Sequence, residues 1–74
     1  MSENAIFDEQ VQDAADKISA LLRAEGELSS WQIKTRLHLS SSLMYLALGR
    51  LQARGLASLE PDQINYKVRS AQQN

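Results

Sequence analysis

Few side chains in this sequence could carry out covalent or metal chemistry. The 74 residues include no cysteine and one histidine, His38. A thiolate nucleophile is therefore excluded, and a zinc site would lack its usual ligands. His38 has no neighbouring acid and better suits a sharp turn, because histidine tolerates a left-handed backbone. With no glycine-rich phosphate loop either, the sequence argues against an enzyme and predicts no metal, cofactor or small-molecule ligand.

Side chains that could contact nucleic acid are concentrated around one segment. The run from Leu39 to Leu56 has helical spacing between a serine cluster and a Gly-Leu stop. Serine and tyrosine hydroxyls can contact phosphates, and basic side chains neutralise them. The candidate DNA-contacting residues are Ser40, Ser41, Ser42, Tyr45, Arg50, Lys34, Arg36, Lys67 and Arg69. Because so few cations are available, we expect weak, salt-sensitive binding of duplex DNA.

Charge is unevenly distributed along the chain. The net charge is −1 and the isoelectric point is about 5.7. Residues 1–27 contain seven acids and two cations, whereas residues 28–74 contain six cations and two acids. This asymmetry could orient the domain on an anionic partner, or the opposite charges could attract within the domain or between copies.

Apolar periodicity predicts three helices in a single folded domain. The first extends from Asp8 to Glu25 and stops at Gly26. Two serine-capped helices follow, and the predicted ranges are Ser30 to Leu37 and Ser41 to Arg54. Ser29 with Gln32 fits the reciprocal capping pattern, Ser40 caps the third helix, and Gly55 ends it.

Short strands are predicted around these helices. Leu28 could pair at the edge of a small sheet, and the alternating run from Ile64 to Arg69 predicts the second strand of a hairpin. The hairpin turn is expected at residues 60–63, with Pro61 in its second position. Residues 1–7 are expected to be an N-terminal tail or arm, and residues 70–74 a disordered tail.

The element order and two sequence runs resemble the winged helix-turn-helix superfamily. The runs are GELSSWQIKTRLHLS and LMYLALGRLQARGLASL. The resemblance implies an α+β, mostly α fold of three helices with a β-hairpin wing over residues 8–69. The shorter run LMYLALGRL resembles a family of small bacterial proteins that consist of a stand-alone winged helix. The superfamily resemblance implies DNA binding and a role in transcription regulation.

The outward face of the third helix also suits association with another protein. At 100° per residue, Met44, Ala47, Leu48 and Leu51 face the core, and a small, apolar stripe lies opposite. A glycine within a helix costs about 1 kcal/mol relative to alanine, so Gly49 suggests close approach of another backbone. The predicted dimer or partner interface comprises Trp31, Leu43, Leu46, Gly49, Ala53, Ile6 and Phe7.

Parts of that predicted interface have alternative explanations. Trp31 could cover the edge of the sheet, or it could be a partly exposed anchor for a partner. The wing, or a segment containing Ile6 and Phe7, could cover the apolar patch within one chain. These alternatives would leave less surface for a homodimer.

Two functions therefore follow from the sequence. One is a DNA-binding regulator-like protein of weak affinity. The other is a homodimeric protein-interaction module on the same scaffold that binds no DNA. The sequence contains no apolar stretch long enough to span a bilayer and no apolar leader, so we expect a cytoplasmic protein without membrane contact.

Overall fold

Three helices and a three-stranded antiparallel sheet alternate along the chain in the computed structural model. It describes residues 3–71, and the side chains of residues 6–71. The elements in chain order are α1 Glu3–Glu25, β1 Glu27–Ser29, α2 Ser30–Leu37, α3 Ser41–Ala53, β2 Ala57–Asp62 and β3 Asn65–Ser70. The sheet has the order β1-β3-β2, so β3 is its central strand. The predicted element order, including the short edge strand β1, is confirmed.

Local capping signals set the boundaries of α2. The Ser29 hydroxyl accepts a hydrogen bond from the Gln32 amide at 3.1 Å, and the Gln32 side chain accepts one from the Ser29 amide at 2.9 Å. This reciprocal pair satisfies amides that the first turn leaves without partners. At the other end His38 has φ 54° and ψ 46°, the left-handed turn expected from the sequence. These two ends fix the entry and exit of α2.

The hydrophobic core lies where α1, α2, α3 and β3 meet. Ile18, Ile33, Leu48 and Val68 come from these four elements, and each is fully buried. The predicted inward face of α3 is confirmed, since Met44, Ala47, Leu48 and Leu51 are all buried. Burying a side chain of this size contributes roughly 1.5 to 3 kcal/mol, so this junction holds the helices in place.

Both predicted tails are shorter than the sequence suggested. Helix α1 begins at Glu3, five residues before the predicted start, and Ile6 and Phe7 belong to it. Because they lie in a continuous helix, they cannot fold back as an arm. Ser70 belongs to β3, and the Ala71 amide donates to the Leu56 carbonyl at 3.0 Å. Residues 1–2 and 72–74 of the predicted tails lie outside the described residues.

The turn of the wing was predicted at the wrong residues. Asp62 pairs with Asn65, so Gln63 and Ile64 form a two-residue turn. Gln63 has φ 60°, as the first position of a tight hairpin turn requires. Pro61 lies within β2 opposite Tyr66, where it is tolerated because β2 is an edge strand. Ile64, which the alternating pattern places on one side of the strand with Tyr66 and Val68, is 91% exposed at the tip.

Candidate nucleic-acid interface

The N-terminal half of α3 is open to solvent on the face opposite the core. The Ser40 hydroxyl accepts a hydrogen bond from the Leu43 amide at 3.2 Å and so begins the helix. Ser41, Ser42, Tyr45 and Leu46 are all exposed. Backbone amides in a first helical turn lack helical partners, and they attract phosphate oxygens. The face therefore offers hydroxyls and amides, with one apolar side chain among them.

A groove adjoins this face, between the starts of α2, α3 and β3. Its volume is about 160 Å³, and its polar or aromatic lining residues are Ser30, Trp31, Lys34, Ser41, Tyr45 and Asn65. At roughly 30 Å³ per water molecule, that volume equals about five waters. The groove is therefore of the size that one planar ring or one phosphate group would occupy.

Two aromatic walls border the groove. Trp31 is 61% exposed, so the hypothesis that it covers the sheet edge is wrong and the alternative of an exposed aromatic holds. Tyr45 packs edge-on against Tyr66, with ring centroids 6.0 Å apart and planes at 74°. Such edge-to-face pairs fix ring orientation. Tyr66 is anchored in turn because its amide donates to the buried Ser30 hydroxyl at 3.0 Å.

Lys34 is the basic side chain of the groove. It lies one turn after Trp31 on α2 and is half-buried. Within residues 6–71 it takes part in no ion pair, whereas three predicted DNA contacts are paired. The ion pairs are Arg36 with Glu25 at 3.4 Å, Arg50 with Asp8 at 2.6 Å, and Arg69 with Glu27 at 2.6 Å. Much of the charge asymmetry is thus neutralised inside the domain.

Arg50 faces α1, away from the groove. Its guanidinium donates to Asp8 at 2.6 Å and to Gln12 at 3.1 Å, and its side chain is only 24% exposed. On the helical wheel it lies about 140° from Tyr45. The structure thus assigns it to the contact between α1 and α3, and its predicted DNA role loses its basis.

Lys67 and Arg69 lie on the outer face of the sheet. Successive strand residues point to opposite faces, and Val68 between them is fully buried. They therefore point away from Tyr66 and Val68, and neither lines the groove. The structure separates these two predicted phosphate contacts from Ser41, Ser42 and Tyr45.

The residues predicted for a dimer interface are only partly together. Leu43 is half-buried and packs against the core, so it offers little surface. Ile6, Phe7 and Leu46 are each 47% exposed, and Ala53 is exposed too. A methyl group added at Gly49 would meet no described atom within 4 Å. Neither the wing nor the described part of α1 covers this glycine.

Two groove residues were missed from the sequence. Ser30 lies one turn before buried Ile33 and is 1% exposed, so its helical spacing from Ile33 was a usable signal. Asn65 was assigned to the polar side of a strand. Asn65 reaches the groove because it directly follows the two-residue turn of Gln63 and Ile64. The sequence did not predict that turn, because Pro61 favoured a turn at residues 60–63.

The side chains of residues 6–71 form no cluster of three or more His, Asp or Glu that could hold a metal ion. Among the same residues, no helix combines the length and apolarity needed to cross a membrane.

Comparison with known proteins identifies the fold. The sequence matches no protein-family model and no curated protein. Among solved structures, HlyU from Vibrio cholerae is similar with a TM-score of 0.71, at 22% identity, over 99% of this chain and 84% of HlyU. The chain therefore has the winged helix-turn-helix fold that the sequence predicted. The narrower resemblance to stand-alone winged-helix proteins stays a prediction.

Proposed function

We propose that this protein is a DNA-binding, regulator-like winged helix-turn-helix module of weak intrinsic affinity. The observation that carries the proposal is the exposed N-terminal half of α3, with Lys34 beside it. In helix-turn-helix proteins the corresponding helix enters the major groove with its first residues toward the bases. Here Ser41, Ser42, Tyr45 and Leu46 occupy that part of the helix.

The residue types on this face explain why the affinity would be weak. Ser41 and Ser42 offer hydroxyls to phosphates or bases, and Leu46 can contact only a thymine methyl. The bidentate base contacts of Arg, Asn or Gln have no counterpart among the exposed residues of this half-helix. Lys34 is the nearby cation without an ion pair among the described residues. Because counterions are released only where a cation neutralises a phosphate, we propose about one counterion released per subunit.

A titration with mixed-sequence duplex DNA at low salt tests this proposal. Backbone amide shifts should be confined to Ser41, Ser42, Tyr45 and the neighbourhood of Lys34. The logarithm of the binding constant should fall with the logarithm of salt with a slope of about −1. If millimolar duplex shifts no amide in α2 or α3, the proposal is wrong.

A matched pair of variants distinguishes a direct contact between Lys34 and DNA from a general effect of the protein's net charge on DNA binding. Lys34→Gln and Lys67→Gln remove the same charge, but Lys67 lies on the outer face of the sheet. Lys34→Gln should weaken duplex binding and reduce the salt slope by about 1. Lys67→Gln should leave the slope unchanged. Equal effects of the two would indicate non-specific attraction in place of a defined interface.

A homodimeric interaction module is the second candidate function. The observation that favours it is the exposure of Ile6, Phe7 and Leu46, each at 47%. Asp8 and Gln12 accept hydrogen bonds from Arg50, and Gln12 also accepts one from Arg54, so this part of α1 lies beside the face of α3 that carries Arg50. Leu46 lies one turn before Arg50 on nearly the same face of α3. The three apolar side chains could therefore form one association surface.

A further inference from the structure

We propose that the groove between α2, α3 and β3 binds one unpaired nucleobase of a single strand. The base stacks on Trp31, and the ammonium group of Lys34 pairs with the phosphate of the same nucleotide. This inference rests on the proposed nucleic-acid function and names a second form of substrate for it. The groove shares Ser41, Tyr45 and Lys34 with the surface proposed to contact a duplex, whereas Ser30, Trp31 and Asn65 belong to the groove alone. It is defined by residues on three different elements.

The aromatic character of the groove favours a planar ligand. Trp31 leaves 61% of its surface exposed, although burying an indole is strongly favourable in a domain this small. Tyr45 also lines the groove, and its ring packs edge-on against Tyr66. A base stacked on Trp31 would bury the indole face without requiring any movement of the core, and stacking tolerates any base because every base has a π-face.

Charge indicates that the ligand is anionic. None of the residues that line the groove is acidic, and Lys34 is its basic side chain. The described ion pairs leave Lys34 without a partner, unlike Arg36 on the same helix. Trp31 and Lys34 are one turn apart, so a base and its adjoining phosphate could contact both at once. Stacking combined with backbone neutralisation is the mode by which single strands are held.

Polar groups at the rim match a base edge. Asn65 offers an amide donor and a carbonyl acceptor, and Ser41 offers a hydroxyl. The Ser30 hydroxyl already accepts from the Tyr66 amide, so its proton remains available to donate. In a duplex the faces of a base are stacked on its neighbours and its pairing edge is occupied. An unpaired base is therefore the form that could stack on Trp31 and meet these polar groups.

Trp31 is the only tryptophan of the chain, so its fluorescence reports directly on the groove. The full chain is titrated with an oligothymidylate strand, and with an abasic oligonucleotide of equal length and phosphate count. We expect the oligothymidylate to quench Trp31 fluorescence in a saturable manner and the abasic strand to have little effect. Equal quenching by both would show that the groove binds phosphate alone and would overturn the proposal.

Substitutions at Trp31 test the stacking itself, with affinity measured by anisotropy of a labelled strand. Trp31→Ala should weaken single-strand binding by about 5- to 150-fold, the range that loss of stacking on one base produces. Trp31→Phe should retain most of the affinity. Because the side chain is largely exposed, circular dichroism should show both variants folded. Unchanged single-strand affinity in folded Trp31→Ala would overturn the proposal.

The same variants separate this inference from the proposed function. Trp31→Ala should leave duplex affinity within about twofold, since the duplex would contact α3. Duplex binding with amide shifts in α3, but no quenching by oligothymidylate, would refute the single-strand site and leave the regulator proposal intact. Quenching by oligothymidylate without duplex binding would support the site and refute duplex recognition.

Discussion

At the scale of single residues, surroundings decide what a basic side chain can do. Arg50 and Lys34 were both candidates for contacting phosphates. Arg50 donates to Asp8 and Gln12 and is largely screened from solvent, whereas Lys34 borders a groove and has no ion pair among residues 6–71. Releasing Arg50 to bind DNA would leave Asp8 without its partner. Lys34 carries no such cost, so it is the better candidate.

Gly49 provides the first residue-scale prediction. It lies inside α3 with open space around it in the described structure. Gly49→Ala should therefore raise the free energy of unfolding by about 1 kcal/mol through helix propensity. In a domain of this size that corresponds to a midpoint higher by about 4 to 8 °C. Thermal and denaturant unfolding measure both quantities.

Gly55 supplies the control for that prediction. Its φ of 73° is left-handed, and its amide and that of Leu56 donate to the Gln52 and Leu51 carbonyls to close the helix. Gly55→Ala should lower stability by about 1 to 2 kcal/mol because of backbone strain. A loss of stability in Gly49→Ala that grows with protein concentration would contradict the prediction and indicate a second chain packed against Gly49.

The residue scale is also where sequence patterns were most and least informative. The Ser29 and Gln32 pair and the left-handed His38 were predicted because capping and turns depend on near neighbours in the chain. The partners of Arg50 lie 38 and 42 residues away. Capping and periodicity patterns relate residues only a few positions apart, so they could not predict which way the Arg50 side chain points.

At the scale of elements, the contact between α1 and α3 is the main helix pairing of the fold. Val11, Ala14, Ala15 and Ile18 of α1 are buried, whereas the side chains of residues 6–10 before them are exposed. This part of α1 makes polar contacts with α3, in which Asp8 and Gln12 accept hydrogen bonds from Arg50 and Gln12 also accepts one from Arg54. The pairing therefore has an apolar part and a polar part.

Arg50→Gln should loosen the start of α1 selectively. The ion pair with Asp8 is partly exposed, so we expect a loss of only about 0.5 to 1 kcal/mol in global stability. Amide hydrogen exchange in the first two turns of α1 should accelerate, while exchange around Ile18 should change only by the global amount.

Lys17→Gln is the matched control for that measurement. Lys17 pairs with Asp13 at 3.2 Å, and both residues belong to α1. The substitution therefore removes one ion pair without affecting any contact with α3. It should leave exchange at the start of α1 unchanged. Equal acceleration in both variants would show that the start of α1 responds to charge on the helix and not to its attachment to α3.

Element boundaries followed from the sequence where a cap or a glycine marked them. Gly26 and Gly55 end α1 and α3 as predicted, and both have positive φ. The start of α1 lacked such a signal. Pro61 misled the prediction of the hairpin turn, because proline favours turns locally but is also tolerated on an edge strand. Which strand is the edge depends on sheet order, a property of the tertiary fold.

At the scale of the whole molecule, the opposite charges of the two parts of the chain form ion pairs within the fold and do not produce an attractive field for DNA. Three of the four ion pairs among residues 6–71 join an acid from the first 27 residues to a base from later in the chain. The net charge is −1, which has the wrong sign to steer the domain toward DNA from a distance. Any nucleic-acid binding must therefore come from the local surface of α3 and the groove.

Oligomeric state is the last prediction and belongs to the whole molecule. A 74-residue chain has a small core, and association commonly supplements it. If the second candidate function holds, Ile6, Phe7 and Leu46 form the association surface, and light scattering should give about twice the monomer mass of 8.3 kDa. Phe7→Asp and Leu46→Asp should each shift the protein to monomer, whereas Ile64→Asp at the wing tip should not, although Ile64 is more exposed. A monomeric mass for the unaltered chain at every concentration would remove the dimer and leave DNA binding to a single subunit.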